Sequence, residues 1–193
     1  MNMKRNLFKI IFSLLSICML VAFPSQAISF TELQNDPQTY MPFLGETRNV
    51  YLKTNSISIR RYEPPFYILG ATIVICDFEQ DLIAVTPIRF SYDYKRSNEE
   101  ILKALPESIL NKKVDREHAL EAMKEIGDII QEQKLKNSGV SFSQGAFASF
   151  YDLDGNFLGE STEGDQSFRS CEYNSRYYWV AVTVFHKIYN TQF

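Results

Sequence analysis

An α+β domain, an antiparallel β-sheet with helices packed on it, is the fold class this sequence predicts. Three observations predict it. Residues 49–94 alternate apolar and polar side chains with the two-residue period of strands. Residues 97–136 change to a three-to-four-residue period opened by a capping pattern, which predicts an inserted helical pair. Residues 145–160 return to short apolar runs on either side of Asp154-Gly155, a strong short-range hairpin signal.

The chain opens with a segment that does not belong to that fold. Lys4 and Arg5 precede an apolar run from Ile10 to Phe23, and Pro24-Ser25-Gln26-Ala27 supplies small residues for a cut after Ala27. That layout predicts a signal peptide at 1–27 and a single exported α+β domain at 28–193, with no membrane span once the signal is removed. Leu15-Ser16-Ile17-Cys18 offers the alternative of a lipid-bearing Cys18, although bulky Ile17 stands where a small residue is expected. Loss of Lys4, Arg5 and Lys9 with the signal moves the formal charge from −3 to −6. No dense Lys/Arg cluster remains, which argues against nucleic acid or an anionic membrane surface as partner. The 15 Phe, 11 Tyr and 1 Trp read as core and sheet-face residues.

Ser29 to Leu33 predicts a short helix ending before Pro37. Val50-Tyr51-Leu52 reads as a short strand, Asn55-Ser56 as a turn, and Ile57 to Arg60 as the next strand. Pro64-Pro65 breaks the pattern and leads into Phe66–Phe78, apolar on both faces as a central strand is. The return strand places Ile88, Phe90 and Tyr92 on one side and Arg89, Ser91 and Asp93 on a wetter one, with Pro87 marking a bulge or an edge. Ser97 with Glu100 forms a capping box, Pro106 ends that helix, and Asp115 reads as the cap of a longer one. In that second helix Leu120, Met123, Ile126 and Ile130 form the apolar stripe, Lys134 and Lys136 suit the dipole, and Asn137-Ser138-Gly139 supplies the stop. The closing stretch, Ser175–Tyr189, fits a helix through Tyr178, Val182, Phe185 and Tyr189, and a strand through its valines.

Candidate sites are few. Cys76 and Cys171 are the two cysteines left after signal removal; export favours a disulfide, which would stabilise by roughly 4–5 kcal/mol, and the alternative is two buried thiols. Asp152, Asp154 and Asn156 alternate like the first ligands of a calcium loop, with Glu163 at the twelfth place. Phe157 stands where such a loop needs Gly, so a plain hairpin turn is the competing reading. His118 and His186 are the only histidines; Glu117, His118 and Glu121 sharing a helix face read as a solvated surface before a metal site. Tyr177, Tyr178 and Trp179 are candidate binding aromatics, with core packing as the alternative. No nucleophile elbow, zinc helix or phosphate-binding glycine loop occurs, and no cofactor is implied.

Val50 to Ile57, Tyr62-Glu63-Pro64-Pro65-Phe66-Tyr67, Phe90 to Tyr94, Phe150 to Asn156 and Val184 to Tyr189 resemble, in order, small exported bacterial proteins of the surface-adhesin protein E type. The resemblance implies an antiparallel sheet with a C-terminal helix across one face, tied there by a disulfide that Cys76 and Cys171 would supply. It selects helix over strand for Ser175–Tyr189. The helical stretch 97–136 departs from that pattern, and no binding residue is carried across. Together these readings predict a non-enzymatic binding module in the periplasm, on the surface or secreted, with an envelope or extracellular protein or glycan as partner. The competing class is an exported enzyme, or enzyme inhibitor, with a carboxylate-based site.

Overall fold

The computed structural model describes residues 28–109 and 118–193; the leader at 1–27 and the cap expected at Asp115 lie outside the described residues. The fold is α+β. In chain order it runs α1 (Phe30–Asn35), β1 (Tyr40–Phe43), β2 (Arg48–Glu63), β3 (Phe66–Asp77), β4 (Leu82–Asp93), α2 (Asn98–Lys103), α3 (Ala119–Lys136), β5 (Val140–Gln144), β6 (Ala148–Tyr151), β7 (Phe157–Ser161), β8 (Arg169–Ser170) and α4 (Arg176–Tyr189). One antiparallel sheet carries the order β1-β2-β3-β4-β5-β8, while β6 pairs with both β4 and β7.

The β3–β4 hairpin is in register from Phe66 opposite Asp93 to Asp77 opposite Leu82. Beyond β4 the sheet forks: β5 lies along Ile88–Tyr92 and β6 along Ile83–Val85. Pro87 sits at the fork because it has no N–H for the ladder. Gly145 instead donates its N–H to the Pro87 carbonyl at 2.7 Å, and the Thr86 hydroxyl donates to Phe147 O at 3.0 Å. A Cβ on Gly145 would meet Pro87 Cγ at 2.4 Å, so this approach needs glycine. The bulge expected at Pro87 is thus a division of the neighbouring strand.

One expected turn is absent. Asn55-Ser56 lies inside β2, which runs unbroken from Arg48 to Glu63 with register shifts after Lys53 and after Ile59. The reason is a side chain: Ser56 Oγ accepts the Thr72 N–H at 2.7 Å and donates to Lys53 O at 2.6 Å, pairing backbone groups that the bulge would leave unmade.

The two faces of the sheet have different cores. On one, Leu52, Leu69, Ile73, Ile88, Phe90 and Tyr92 pack beneath Tyr178, Ala181, Val184 and Phe185 of α4. The Tyr92 hydroxyl donates to Ala181 O at 2.8 Å, fastening helix to sheet. On the other, Val74, Cys76, Ile83 and Tyr151 pack with Ile28, Leu33 and Tyr40 beneath α1. Ser175 caps α4 by accepting the Tyr178 N–H at 3.2 Å, and Asn190 ends it in the left-handed region at φ 53°. The C-terminal segment is therefore the helix the resemblance implied.

Ser97 accepts the Glu100 N–H at 3.2 Å, as the capping box requires, and α2 ends before Pro106. The apolar stripe of α3 holds at Ile126 and Ile130 and is corrected at Leu120 and Met123. Leu120 is 84% and Met123 60% exposed, while Ala122, Ile126 and Lys134 are buried. The helix packs against α2 more than against any strand, so a different side is covered. Lys134, read from sequence as suiting the dipole at the helix end, lies buried between Phe193 and Tyr178, with Nζ 4.4 Å and 5.9 Å from the ring centroids. Its Nζ donates to Ser138 O at 3.3 Å, and burial lowers its pKa to about 8.

Candidate functional site: a groove on the open half of the sheet

The α1 face is only partly covered. At about 1.5 Å of rise per residue the six residues of α1 span roughly 9 Å, whereas a strand the length of β3 extends about 40 Å. What α1 leaves uncovered is a groove of about 540 Å³ whose floor follows Ile68, Gly70 and Thr72 of β3. Arg60 and Arg61 of β2 line one side; Pro87 and Arg89 of β4, with Gly145 and Gln166, line the other.

Register builds this site. Gly70 faces Arg89 of β4 on one side and Ser58 of β2 on the other, and Arg89 in turn faces Ser143 of β5. Arg60, two residues on from Ser58, leans inward across β3: a Cβ on Gly70 would come within 2.9 Å of its Nε. The missing side chain at Gly70 is what lets this arm lie on the strand. Arg89 is held from the far side, its Nη2 donating to Ser143 Oγ at 3.1 Å and Gln166 O at 3.3 Å, with its Cζ 5.6 Å from the Phe168 ring centroid. Arg61 pairs with Glu63, an exposed contact that holds the Glu63 carboxyl below its usual range. Among the described residues neither Arg60 nor Arg89 has a carboxylate partner. Guanidinium forks with spare N–H groups are suited to bidentate contact with carboxylate or phosphate oxygens.

A second, smaller crevice of about 370 Å³ lies between α2 and α4, lined by Asn98, Tyr173, Tyr178, Trp179, Val182 and His186 among others. It takes up part of the expected aromatic cluster but not as a unit. Consecutive helical positions point about 100° apart. Tyr177 stacks on Phe142 at 4.7 Å and receives a hydrogen bond from Gln144 Nε2 at 3.2 Å; Tyr178 is buried; only Trp179 is exposed. Tyr177 and Tyr178 are therefore core residues, and the three do not form one platform.

The expected disulfide is not formed. Cys76 and Cys171 are free thiols, buried in the two clusters on opposite faces of the sheet, so the sheet itself stands between them. Burial pushes the Cys76 thiol up to about 12 and raises Cys171 as well. Neither supplies a thiolate nucleophile at neutral pH. Asp152, Asp154 and Asn156 lie in the β6–β7 turn. There the Asp152 carboxylate accepts both the Asn156 N–H and its side-chain amide at 2.7 Å, which holds the carboxyl below its usual range. Gly155 supplies φ +92° in that turn. Asn156 thus presents a donor where a calcium loop needs an acceptor. Among the described residues no group of three or more His, Cys, Asp or Glu could hold a metal ion. His118 stands just ahead of α3, and His186 Nδ1 lies 3.3 Å from Thr191 O. No described helix is long and apolar enough to cross a membrane.

The groove was not among the sites expected from sequence. Its signals were present separately: Arg89 on the wetter side of its strand, and a glycine inside an otherwise apolar central strand, a mark of close approach by another group. No family model, no curated protein and no solved structure matches this chain.

Proposed function

We propose that this chain is an exported, non-enzymatic binding module of the bacterial envelope or surface, and that it engages an envelope or extracellular partner through the groove over β3. The observation that carries the reading is a sheet face, held from behind by α4, whose uncovered half presents two arginines without carboxylate partners among the described residues. Support comes from the leader pattern at 1–27 and from the resemblance to surface-adhesin protein E type proteins. Both thiols lie in the core with raised pKa, which leaves cysteine chemistry no place in the reading.

The test is site-directed photocrosslinking in the native envelope and medium, with a benzoylphenylalanine at Thr72 in the groove or at Leu120 on exposed α3. A partner trapped from Thr72 and not from Leu120 is the expected result. Trapping from neither, or from both alike, overturns the groove as the binding surface.

A further inference from the structure

We propose that the groove binds an acidic peptide segment lying along β3, one of its carboxylates held between Arg60 and Arg89 above Gly70. This rests on the groove being a binding surface and names the chemistry it takes.

Three observations lead there. First, strand register sets the two arginines on either side of one glycine. β2 and β4 flank β3 at roughly 4.8 Å each; Arg60 leans inward onto Gly70, while Arg89 lines the same groove from β4, its guanidinium held toward β5. Second, Arg89 is oriented by Ser143, Gln166 and the Phe168 ring without losing its charge to a carboxylate. Two of its N–H contacts go to neutral oxygens, which aim the fork and leave donors for a ligand. Two like charges over one strand are unfavourable until an anion stands between them. Third, the floor continues past the charged point, with the apolar Ile68 on one side of Gly70 and the hydroxyl of Thr72 on the other. A 540 Å³ groove is far larger than one carboxylate or phosphate group, and three successive same-face positions of β3 along its floor give it the length of an extended segment of several residues. Arg61, already paired with Glu63, leaves two uncompensated charges, which suits scattered carboxylates better than a polyanion.

The experiment uses fluorescence anisotropy with the purified chain, a labelled octapeptide of alternating Ser and Glu, and its Ser/Gln counterpart. The acidic peptide is expected to bind roughly 10- to 100-fold tighter than the amide peptide, with affinity falling as salt rises from 50 to 500 mM. Arg60→Gln and Arg89→Gln should each weaken it by a similar factor. Arg60→Lys, which keeps the charge and loses the fork, should fall between. Because Arg60 is exposed, its thermal melt should match the parent and separate lost binding from lost folding. Equal binding of the two peptides, no binding of either, or arginine variants that bind like the parent would overturn the proposal. So would an inorganic phosphate or polyphosphate chain that binds where the acidic peptide does not. If these tests fail while Thr72 still crosslinks a partner, the acidic-peptide assignment falls and the binding surface stands.

Discussion

The α4 face and the α1 face of this sheet share the same three long strands, yet they are finished differently. Over the first, a 14-residue helix brings Phe185 against Tyr92, Tyr67 and Phe193 at 5.0, 5.5 and 5.4 Å, and every ring has aromatic neighbours on several sides. Over the second, a six-residue helix covers Val74, Cys76 and Ile83 and stops, leaving an open groove lined by exposed Arg60 and half-buried Arg89. One face is therefore closed over its core, and the other leaves an open groove. The difference originates in helix length, not in strand composition, because β3 is apolar on both faces for most of its course.

Removing the ring at the centre of the covered face should have the largest effect. Phe185→Ala is expected to cost about 3–5 kcal/mol, since a cavity among packed rings cannot collapse without moving α4. Leu33→Ala, beneath α1, should cost less, about 2–3 kcal/mol, because a two-turn helix can shift to close the gap. Urea unfolding of both variants checks this. Equal losses would mean the two faces contribute alike.

Lys134→Met is the next largest and has the opposite sign. Lys134 is 1% exposed, and its pKa falls to about 8 through burial. Around it stand Tyr178, Phe193 and the Ser138 carbonyl, and among the described residues no carboxylate pairs with it. The folded chain holds this proton less tightly than the unfolded chain, so between about pH 8 and pH 10.4 the unfolded state binds more protons and this site gains stability as pH rises. Below pH 8 the full penalty, on the order of 3 kcal/mol, opposes folding. Lys134→Met should remove it, giving a more stable protein at pH 7 whose advantage narrows toward pH 10. Cys76 and the buried tyrosines, all with raised pKa, lose stability over the same alkaline range, so the parent-minus-variant difference is the quantity to follow. An advantage independent of pH would show that Lys134 is not the titrating group.

Cys76→Ala and Cys171→Ala should each cost about 1 kcal/mol, the loss of a small apolar contact, instead of the roughly 4–5 kcal/mol that opening a long disulfide loop entails. In denaturant without reductant both thiols should alkylate. Alkylation only after reduction would place the two cysteines within bonding distance and contradict their separation by the sheet.

Most of the fold was legible because it is written locally. Alternation along Phe66–Tyr94 specified the central hairpin, and Ser97, Gly139 and the Asp154-Gly155 pair marked boundaries where one residue sets the backbone. What failed depended on partners distant in sequence. Asn55-Ser56 has turn chemistry, yet the Ser56 hydroxyl spends it on Thr72 in the next strand. The stripe through Leu120 and Met123 has helical spacing, but which side of α3 is covered depends on α2 and on the Tyr178–Phe193 pair that takes Lys134. Cys76 and Cys171 are compatible with a bridge until strand parity puts them on opposite faces. The groove was the least legible of all, since Arg60, Gly70 and Arg89 meet only through the register of three strands.

The smallest expected effect on stability is the one that sharpens the comparison most. Arg60→Ala removes an exposed side chain with no carboxylate partner among the described residues, so unfolding free energy should change by no more than about 0.5 kcal/mol. Gly70→Ala is the companion measurement. It adds strand propensity but places a methyl group 2.9 Å from Arg60 Nε, so the arm must lift from the strand while the backbone stays. Near-neutral stability in both variants, beside the several kcal/mol lost at Phe185, would show that the open face contributes little to the packed structure. A loss above about 2 kcal/mol for Arg60→Ala would instead make the arginine part of the packed structure, and the two faces would differ in degree only.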